Sequence, residues 1–166
     1  MRLACLVTGL VVGSLAWISA SASSYSAPAL NEAAPRLVLT ALDGTAFDLT
    51  KQRGKVVLIN YWATWCAPCK VEMPTLDAFF RRYHNQGLEI IGISVDFKGD
   101  IAKVPKAAKS VAYPVALLSA ITDNGFGPPE GVPLTYVIDT EGVVRDKFIA
   151  APDKLLHDVV VPLLPR

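Results

Sequence analysis

The sequence predicts a single α/β domain in which a β-sheet carries helices on both faces and is preceded by a β-hairpin. Two nearly continuous apolar runs, residues 55–62 and 88–95, have the length and composition of buried strands, and a helical pattern lies between them. A second hairpin pattern and a helical segment close the chain. The 166 residues, 52% of them hydrophobic, suffice for one core of ordinary size.

The first half of the domain follows from its turn signals and its periodicity. Asp43-Gly44 lies between two short apolar segments, 37–39 and 46–49, and predicts the N-terminal hairpin. After the first buried strand, a stripe of apolar side chains predicts a helix from Cys66 to Asn85, which Gly87 ends. The helix leads directly into the second buried strand.

The second half of the domain contains shorter elements. Pro105 must lie in the first turn of its helix or kink it, because it has no N–H to donate. Asp153 is a suitable N-cap for the last helix. The predicted elements are a helix over 100–111, a strand over 114–118, a turn or short helix over 119–126, hairpin strands over 134–139 and 143–149, and a helix over 153–164.

The first 22 residues have the pattern of a signal peptide. Met1-Arg2 gives a positive start, an apolar stretch follows, and Ala20-Ser21-Ala22 matches the small residues before a cleavage site. An uncleaved membrane anchor is the alternative, because no charged residue occurs between Arg2 and Glu32. Either segment exports the rest of the chain. The predicted organisation is a signal peptide or anchor at 1–22, a flexible leader rich in Ser, Ala and Pro at 23–36, and one domain at 37–166.

Composition and charge exclude several classes of protein. Sixteen Lys and Arg against fifteen Asp and Glu leave a net charge of +1, with no basic face or run for a nucleic acid. Of three cysteines, Cys5 lies in the signal segment, so Cys66 and Cys69 have no partners for a separate structural disulfide. A metal site lacks ligands, since His84 and His157 stand in different predicted helices.

The chemistry of the chain centres on Cys66 and Cys69, where the first buried strand leads into the predicted helix. The first turn of a helix has unpaired N–H groups and carries roughly half a positive charge, and both favour a thiolate. Cys66 is therefore the predicted nucleophile, and Cys69, one turn later, would resolve the mixed disulfide. A purely structural disulfide is disfavoured, because so small a loop constrains the unfolded chain little.

Residues 60–69, Asn-Tyr-Trp-Ala-Thr-Trp-Cys-Ala-Pro-Cys, resemble the active-site segment of the thioredoxin superfamily, and of its TlpA/ResA group of thiol-disulfide interchange proteins in particular. Pro74 matches the proline that kinks the first long helix of thioredoxins. Residues 131–135 match their cis-proline loop, and 137–139 match the strand after it. The resemblance extends from Arg36 to the end and implies a thioredoxin-like fold with a central mixed β-sheet.

The resemblance also implies which residues would contact a substrate. Pro133 would be cis and would lie against the two sulfurs, where it leaves a backbone edge open. Val132 would then offer its N–H and C=O groups to an extended partner. The apolar surface around the sulfurs would comprise Trp65, Ala67 and Pro68.

Proton handling at Cys69 is a further question raised by the sequence. Asn60 stands where thioredoxins have a buried Asp, as is common in the TlpA/ResA group, and Asn cannot take a proton. The resemblance points instead to Glu72, three residues after Cys69. Partial burial would raise the pKa of Glu72 toward neutrality and allow it to deprotonate Cys69. The alternative is a first-turn Glu that only stabilises the helix dipole.

These features predict an exported thiol-disulfide oxidoreductase that acts on protein clients in the periplasm or elsewhere outside the cytoplasm. Members of the TlpA/ResA group usually reduce disulfides, often in apocytochromes c during cytochrome c biogenesis or in copper-site proteins, and a membrane electron donor recharges them. The Cys66–Cys69 disulfide is the redox group expected, with no organic cofactor and no metal. We expect a monomer, with residues 1–22 as a candidate membrane anchor.

Other functions on the same fold match the sequence less well. A disulfide oxidase or isomerase of the DsbA kind usually has a His inside the CxxC motif and a large helical insertion, whereas this chain has Ala67-Pro68 and short connections. A copper metallochaperone of the Sco kind uses CxxxC and a distant His before the closing hairpin, which this chain lacks. A peroxiredoxin would need Thr where Ala63 stands.

Overall fold

The computed structural model describes residues 27–166. The elements in chain order are β1 (Leu37–Thr40), β2 (Ala46–Asp48), β3 (Val56–Trp62), α1 (Ala67–Tyr83), β4 (Leu88–Ser94), α2 (Val104–Ala108), β5 (Val115–Leu117), β6 (Ile121–Asn124), β7 (Leu134–Ile138), β8 (Val144–Phe148) and α3 (Asp153–Val159). The centre is a mixed sheet of five strands in the order β5-β4-β3-β7-β8, and a smaller antiparallel sheet has the order β2-β1-β6.

Three strands bring the residues of interest to one end of the central sheet. β3 and β4 are parallel, and Trp62 lies opposite Ser94 at their carboxyl ends. β7 is antiparallel to β3, and its first residue, Leu134, lies opposite Tyr61. The residues after β3, after β4 and before β7 therefore meet at this end, which we call the carboxyl end of the sheet.

The long helix α1 follows the pattern read from the sequence. Pro74 lies inside it, and a 3-10 turn, His84–Gln86, continues it to Gly87, whose φ of 89° ends the segment. Its face toward the sheet carries the predicted apolar stripe, which is buried: Leu76, Phe79, Phe80 and Tyr83. This stripe holds α1 against β3 and β4 and so fixes where the helix begins.

The two faces of the central sheet are covered by different structures. The buried side chains of α1, α2 and α3 all lie on one face, with Val56 and Leu58 of β3. The other face, with Val57 and Ile59, packs against apolar residues of the small sheet. The α/β class, the mixed sheet and the N-terminal hairpin are confirmed, but the prediction of helices on both faces is wrong. The hairpin and β6 bury enough apolar surface to cover the second face themselves.

The segment 119–126 also differs from its predicted structure. The sequence predicts a turn or short helix there, but residues 121–124 form β6, which pairs antiparallel with β1. Asp123 and Asn124 are turn-forming residues in isolation. Pairing with β1 overrides that preference, because tertiary contacts decide strand formation more than local propensity does.

The helices α2 and α3 are shorter than predicted. α2 begins at Val104 with Pro105 in its first turn, as expected, and a 3-10 turn precedes it. α3 is capped by Pro152 without a side-chain hydrogen bond, so Asp153 is not the N-cap. The helix ends at Val159 instead of reaching Leu164, because Pro162 cannot continue the hydrogen-bond ladder.

Residues 31–36 belong to the folded domain, so the prediction of a flexible leader through Arg36 is wrong for them. The Asn31 N–H donates to the Val144 carbonyl over 2.7 Å, and the Val144 N–H donates to the Glu32 carbonyl over 2.9 Å. This segment lies beside the start of β8, an edge strand whose backbone groups need partners. The predicted signal peptide or anchor at 1–22, Cys5 within it, and residues 23–26 lie outside the described residues. Within 27–166, the chain has no helix long and apolar enough to cross a membrane.

Candidate active site

Cys66 and Cys69 form a disulfide at the start of α1, with an S–S distance of 2.04 Å. Cys66 is the N-cap of the helix, and its Sγ accepts a hydrogen bond from the Cys69 N–H at 3.2 Å. The Cys66 N–H itself donates to the Ala63 carbonyl. Both cysteines are buried, whereas Ala67 and Pro68 between them are exposed. An N–H aimed at Cys66 Sγ would stabilise a thiolate on that sulfur after reduction.

The loop before β7 reaches the same end of the sheet. The Val132–Pro133 peptide bond is cis, Pro133 is buried and Val132 is half-buried. Val132 packs against the apolar cluster that contains both cysteines. Since Leu134 lies opposite Tyr61, Pro133 stands level with the last residue of β3, just before the loop that carries Cys66.

Glu72 lies in the second turn of α1 and is buried beneath the disulfide end of the helix. Its Oε1 accepts hydrogen bonds from the Asn60 amide at 3.1 Å and from the Thr135 hydroxyl at 3.4 Å. Burial raises the pKa of Glu72 to about 7, although hydrogen bonds from Thr135 and the Ala151 N–H oppose the shift. A group that titrates near neutrality can accept and release a proton at physiological pH. Because Glu72 is buried in the second turn, it does not fit the alternative of a first-turn Glu that only stabilises the helix dipole.

Large apolar side chains are exposed at the carboxyl end of the sheet. Trp65, immediately before Cys66, is 56% exposed. Phe97, in the loop three residues after β4, is 72% exposed, and Ile149, the residue after β8, is 80% exposed. Large apolar groups left in water beside a reactive pair of sulfurs suit contact with another protein chain.

The comparisons with known proteins agree with this geometry. Residues 30–147 match the AhpC/TSA family. The chain belongs to this family. The thiol-disulfide oxidoreductase ResA of Bacillus thuringiensis (strain Al Hakam) is 32% identical over 128 residues, an alignment that covers 75% of this chain and 72% of ResA. The chain is therefore a thiol-disulfide oxidoreductase, as the resemblance to the TlpA/ResA group implies.

Solved structures place this oxidoreductase among thioredoxin-like proteins. A thiol:disulfide interchange protein of the thioredoxin family from Chlorobium tepidum TLS has a TM-score of 0.67 and 26% identity, covering 84% of this chain and 100% of its own. A secreted thiol-disulfide isomerase from Corynebacterium glutamicum has a TM-score of 0.65 and 28% identity, covering 78% of this chain and 84% of its own. The predicted thioredoxin-like fold is confirmed.

The structure brings together the residues that the sequence singles out in this oxidoreductase. The two cysteines, Glu72 and the cis-proline loop all lie at the carboxyl end of the sheet, and Trp65, Ala67 and Pro68 are exposed beside the disulfide. Sequence reasoning missed Thr135, Asp96 and the exposed Phe97. Thr135 could have been found as the residue two positions after Pro133, but Asp96 gives no local signal. Within residues 27–166, no three His, Cys, Asp or Glu side chains are grouped as a metal site would require.

Replacing Glu72 by Gln should change how stability depends on pH. Because the pKa of Glu72 is about 7 in the folded protein against an ordinary 4.5, the folded state holds a proton in this range that the unfolded chain has lost. Parent stability should therefore fall, relative to the Gln variant, as the pH rises from 4.5 to 7. The difference in free energy of unfolding should reach about 3 kcal/mol, measured by urea unfolding of the oxidised proteins.

The matched control is Glu141→Gln, because the Glu141 side chain is 78% exposed. Its stability curve should follow that of the parent. Parallel curves for the parent and Glu72→Gln between about pH 5 and pH 8 would contradict a proton held at Glu72 in the folded protein.

Proposed function

We propose that this oxidoreductase reduces disulfide bonds in protein clients outside the cytoplasm, with Cys66 as the attacking sulfur. The observation that carries the proposal is the cap of α1: the Cys69 N–H donates to Cys66 Sγ, and Cys69 lies one turn deeper in the helix. A thiolate at an N-cap is stabilised by the helix dipole and by such an N–H. Exposed Trp65 beside Cys66 supports an encounter with another protein.

The dithiol of Cys66 and Cys69 supplies the two electrons that reduce the client disulfide. The Cys66 thiolate attacks one sulfur of the client disulfide, and the other client sulfur leaves as a thiolate that takes a proton from water. The Cys69 thiol then loses its proton and attacks Cys66 Sγ. The Cys66–Cys69 disulfide forms and the second client sulfur is released. The client is reduced and the oxidoreductase is oxidised, without an organic cofactor or a metal.

We assign Glu72 as the group that accepts the proton of the Cys69 thiol. It is buried on the same helix, and its pKa of about 7 lets it accept a proton near neutral pH. Asn60, its hydrogen-bond partner, cannot take this role, because a carboxamide does not titrate. Glu72 thus acts in the second step, after the client has been captured.

The cis-proline loop and the neighbouring exposed residues form the proposed client site. An extended client segment would run along Val132, whose backbone lies before the buried Pro133. Trp65, Ala67 and Pro68 would contact the side chains on either side of the client cysteine. Because Val132 would contact the client backbone and the other three residues would make apolar contacts, the site suits several clients rather than a single sequence.

The proposal also includes the compartment, the clients and the electron donor of this oxidoreductase. The relative from Corynebacterium glutamicum is a secreted isomerase, which supports action outside the cytoplasm. The signal-like residues 1–22 would export the domain to the periplasm or anchor it at the membrane facing that side. The clients would be apocytochromes c or copper-site proteins, as in cytochrome c biogenesis, and a membrane thiol-transfer protein would recharge the dithiol of the monomer.

The roles of the two cysteines can be separated by trapping. Cys69→Ser should accumulate mixed disulfides with client proteins, because the first attack proceeds and the resolving sulfur is missing. Cys66→Ser should trap none, and non-reducing gels of the two variants with a reducible client such as insulin would measure this. Alkylation of the reduced parent at about pH 6 should label Cys66 faster than Cys69, and the reverse order would contradict the assignment.

The direction of electron flow is tested by the reduction potential of the Cys66–Cys69 pair. Equilibration with glutathione or dithiothreitol should give a value near about −250 mV or lower, as a reductant requires. A value near about −120 mV would instead make this protein an oxidase. An isomerase, as in the Corynebacterium glutamicum relative, would refold a scrambled disulfide protein without net oxidation or reduction.

Glu72→Gln should slow the resolving step and leave the first attack nearly unchanged. The rate of release from the mixed disulfide should lose its dependence on a group of pKa about 7, so the profile should differ from that of the parent between roughly pH 6 and 9. Stopped-flow measurement of the two steps would separate them, with Glu141→Gln as the control. Identical profiles for Glu72→Gln and the parent would leave Glu72 a structural residue.

A further inference from the structure

The loop between β3 and α1 is held to the loop after β4 by one buried carboxylate, that of Asp96. The Thr64 N–H donates to Asp96 Oδ2 at 2.8 Å, and the Thr64 hydroxyl donates to Oδ1 at 2.6 Å. The Ser94 hydroxyl donates to Oδ2 at 2.8 Å and accepts from the Asp96 N–H at 3.1 Å. All three residues are buried. Three donors on one carboxylate satisfy a buried charged group and hold both loops in one arrangement.

Thr64 connects these hydrogen bonds to Cys66. Thr64 lies two residues before Cys66, and the Cys66 N–H donates to the carbonyl of Ala63, the neighbour of Thr64. Cys66 has an extended backbone at the N-cap, and this conformation aims its Sγ at the Cys69 N–H. If Thr64 moved, this alignment would be lost. Trp65, the residue between Thr64 and Cys66, is exposed, so its side chain adds no buried contact to this loop.

We propose that Asp96 is a positioning residue for the redox reaction: through Thr64 it holds Cys66 so that its sulfur meets the helix N–H that stabilises the thiolate. Asp96 touches neither sulfur and exchanges no proton with them. The inference rests on the proposed role of Cys66 as the attacking sulfur, and it adds a residue from the loop after β4 to a site otherwise formed by α1, β3 and β7.

The same contact sets the surface that a client meets. Trp65 follows Thr64 and Phe97 follows Asp96, so two exposed aromatic side chains lie on the two loops that the bonded pair joins. The sulfur and this apolar surface are therefore held by one set of hydrogen bonds. A client would meet both in a fixed relation, which lowers the ordering cost of binding.

The test compares two substitutions of Asp96 in full-length protein that also carries Cys69→Ala. Cys66 is then the one cysteine in the peptide whose labelling is measured. Asp96→Ala removes the acceptors and should slow alkylation of Cys66 at pH 7 by about three- to tenfold, because one pKa unit is a tenfold change in thiolate fraction. Asp96→Asn should restore the rate to within about twofold, since its carbonyl accepts from Thr64 N–H and its amide donates to Thr64 Oγ1. Mass spectrometry of the peptide measures the labelling.

Asp100→Ala is the matched control, because Asp100 lies in the same loop and its side chain bonds to Lys103. It should react like the parent. Should Asp96→Ala fail to fold, Thr64→Val removes a single hydrogen bond and should slow the reaction in the same direction. Where Asp96→Ala does fold, adding Thr64→Val should slow the alkylation of Cys66 little further, because both substitutions act through one contact.

The proposal is overturned by any of three results: an unchanged rate in the folded Asp96→Ala or Thr64→Val variant, equal slowing in Asp96→Ala and Asp96→Asn, or faster alkylation in either Asp96 variant. Faster alkylation would mean that the carboxylate acts as a negative charge against the thiolate and does not position the loop. Failure of the proposed nucleophile is a separate result, since Cys66 would then react slowly in the parent itself.

Discussion

The parallel pairing of β3 with β4 is the constraint on which the rest of the site depends. Because Trp62 lies opposite Ser94, the loops after both strands leave the sheet at the same level, one carrying Cys66 and the other Asp96. β7 enters antiparallel at that end and brings Pro133. A shift of one residue in β3 would turn Asn60 to the opposite face and separate it from Glu72. Strand register, set by apolar packing on both faces, thus determines the chemistry.

Two buried carboxyl groups serve this end of the sheet in different ways. Glu72 receives longer hydrogen bonds, at 3.1 and 3.4 Å, from the neutral groups of Asn60 and Thr135, so burial dominates and raises its pKa to about 7. Asp96 accepts three hydrogen bonds of 2.6–2.8 Å, all from Thr64 and Ser94. In the proposed mechanism Glu72 accepts the proton of Cys69, and the hydrogen bonds of Asp96 hold the backbone at Thr64.

Sequence predicted the parts of this architecture that local patterns encode. The strands β3 and β4, the helix α1 and the two cysteines at its start follow from periodicity and spacing over fewer than twenty residues. Residues 121–124 and 31–36 could not be predicted, since their strand pairing depends on partners far along the chain. Asp96 was missed for the same reason: Thr64, its partner, stands 32 positions earlier. Only the register of two separate strands brings them together.

Residues 31–34 join the domain beside Val144, at the end of β8 remote from the disulfide. The other end of that strand, Phe148, lies opposite Thr135 near the sulfurs. About 13 Å of strand separates the two levels, at about 3.3 Å per residue. A tether attached through this segment would hold the domain from behind. The redox-active pair would then point away from the supporting surface, open to an incoming protein from any side but the tethered one.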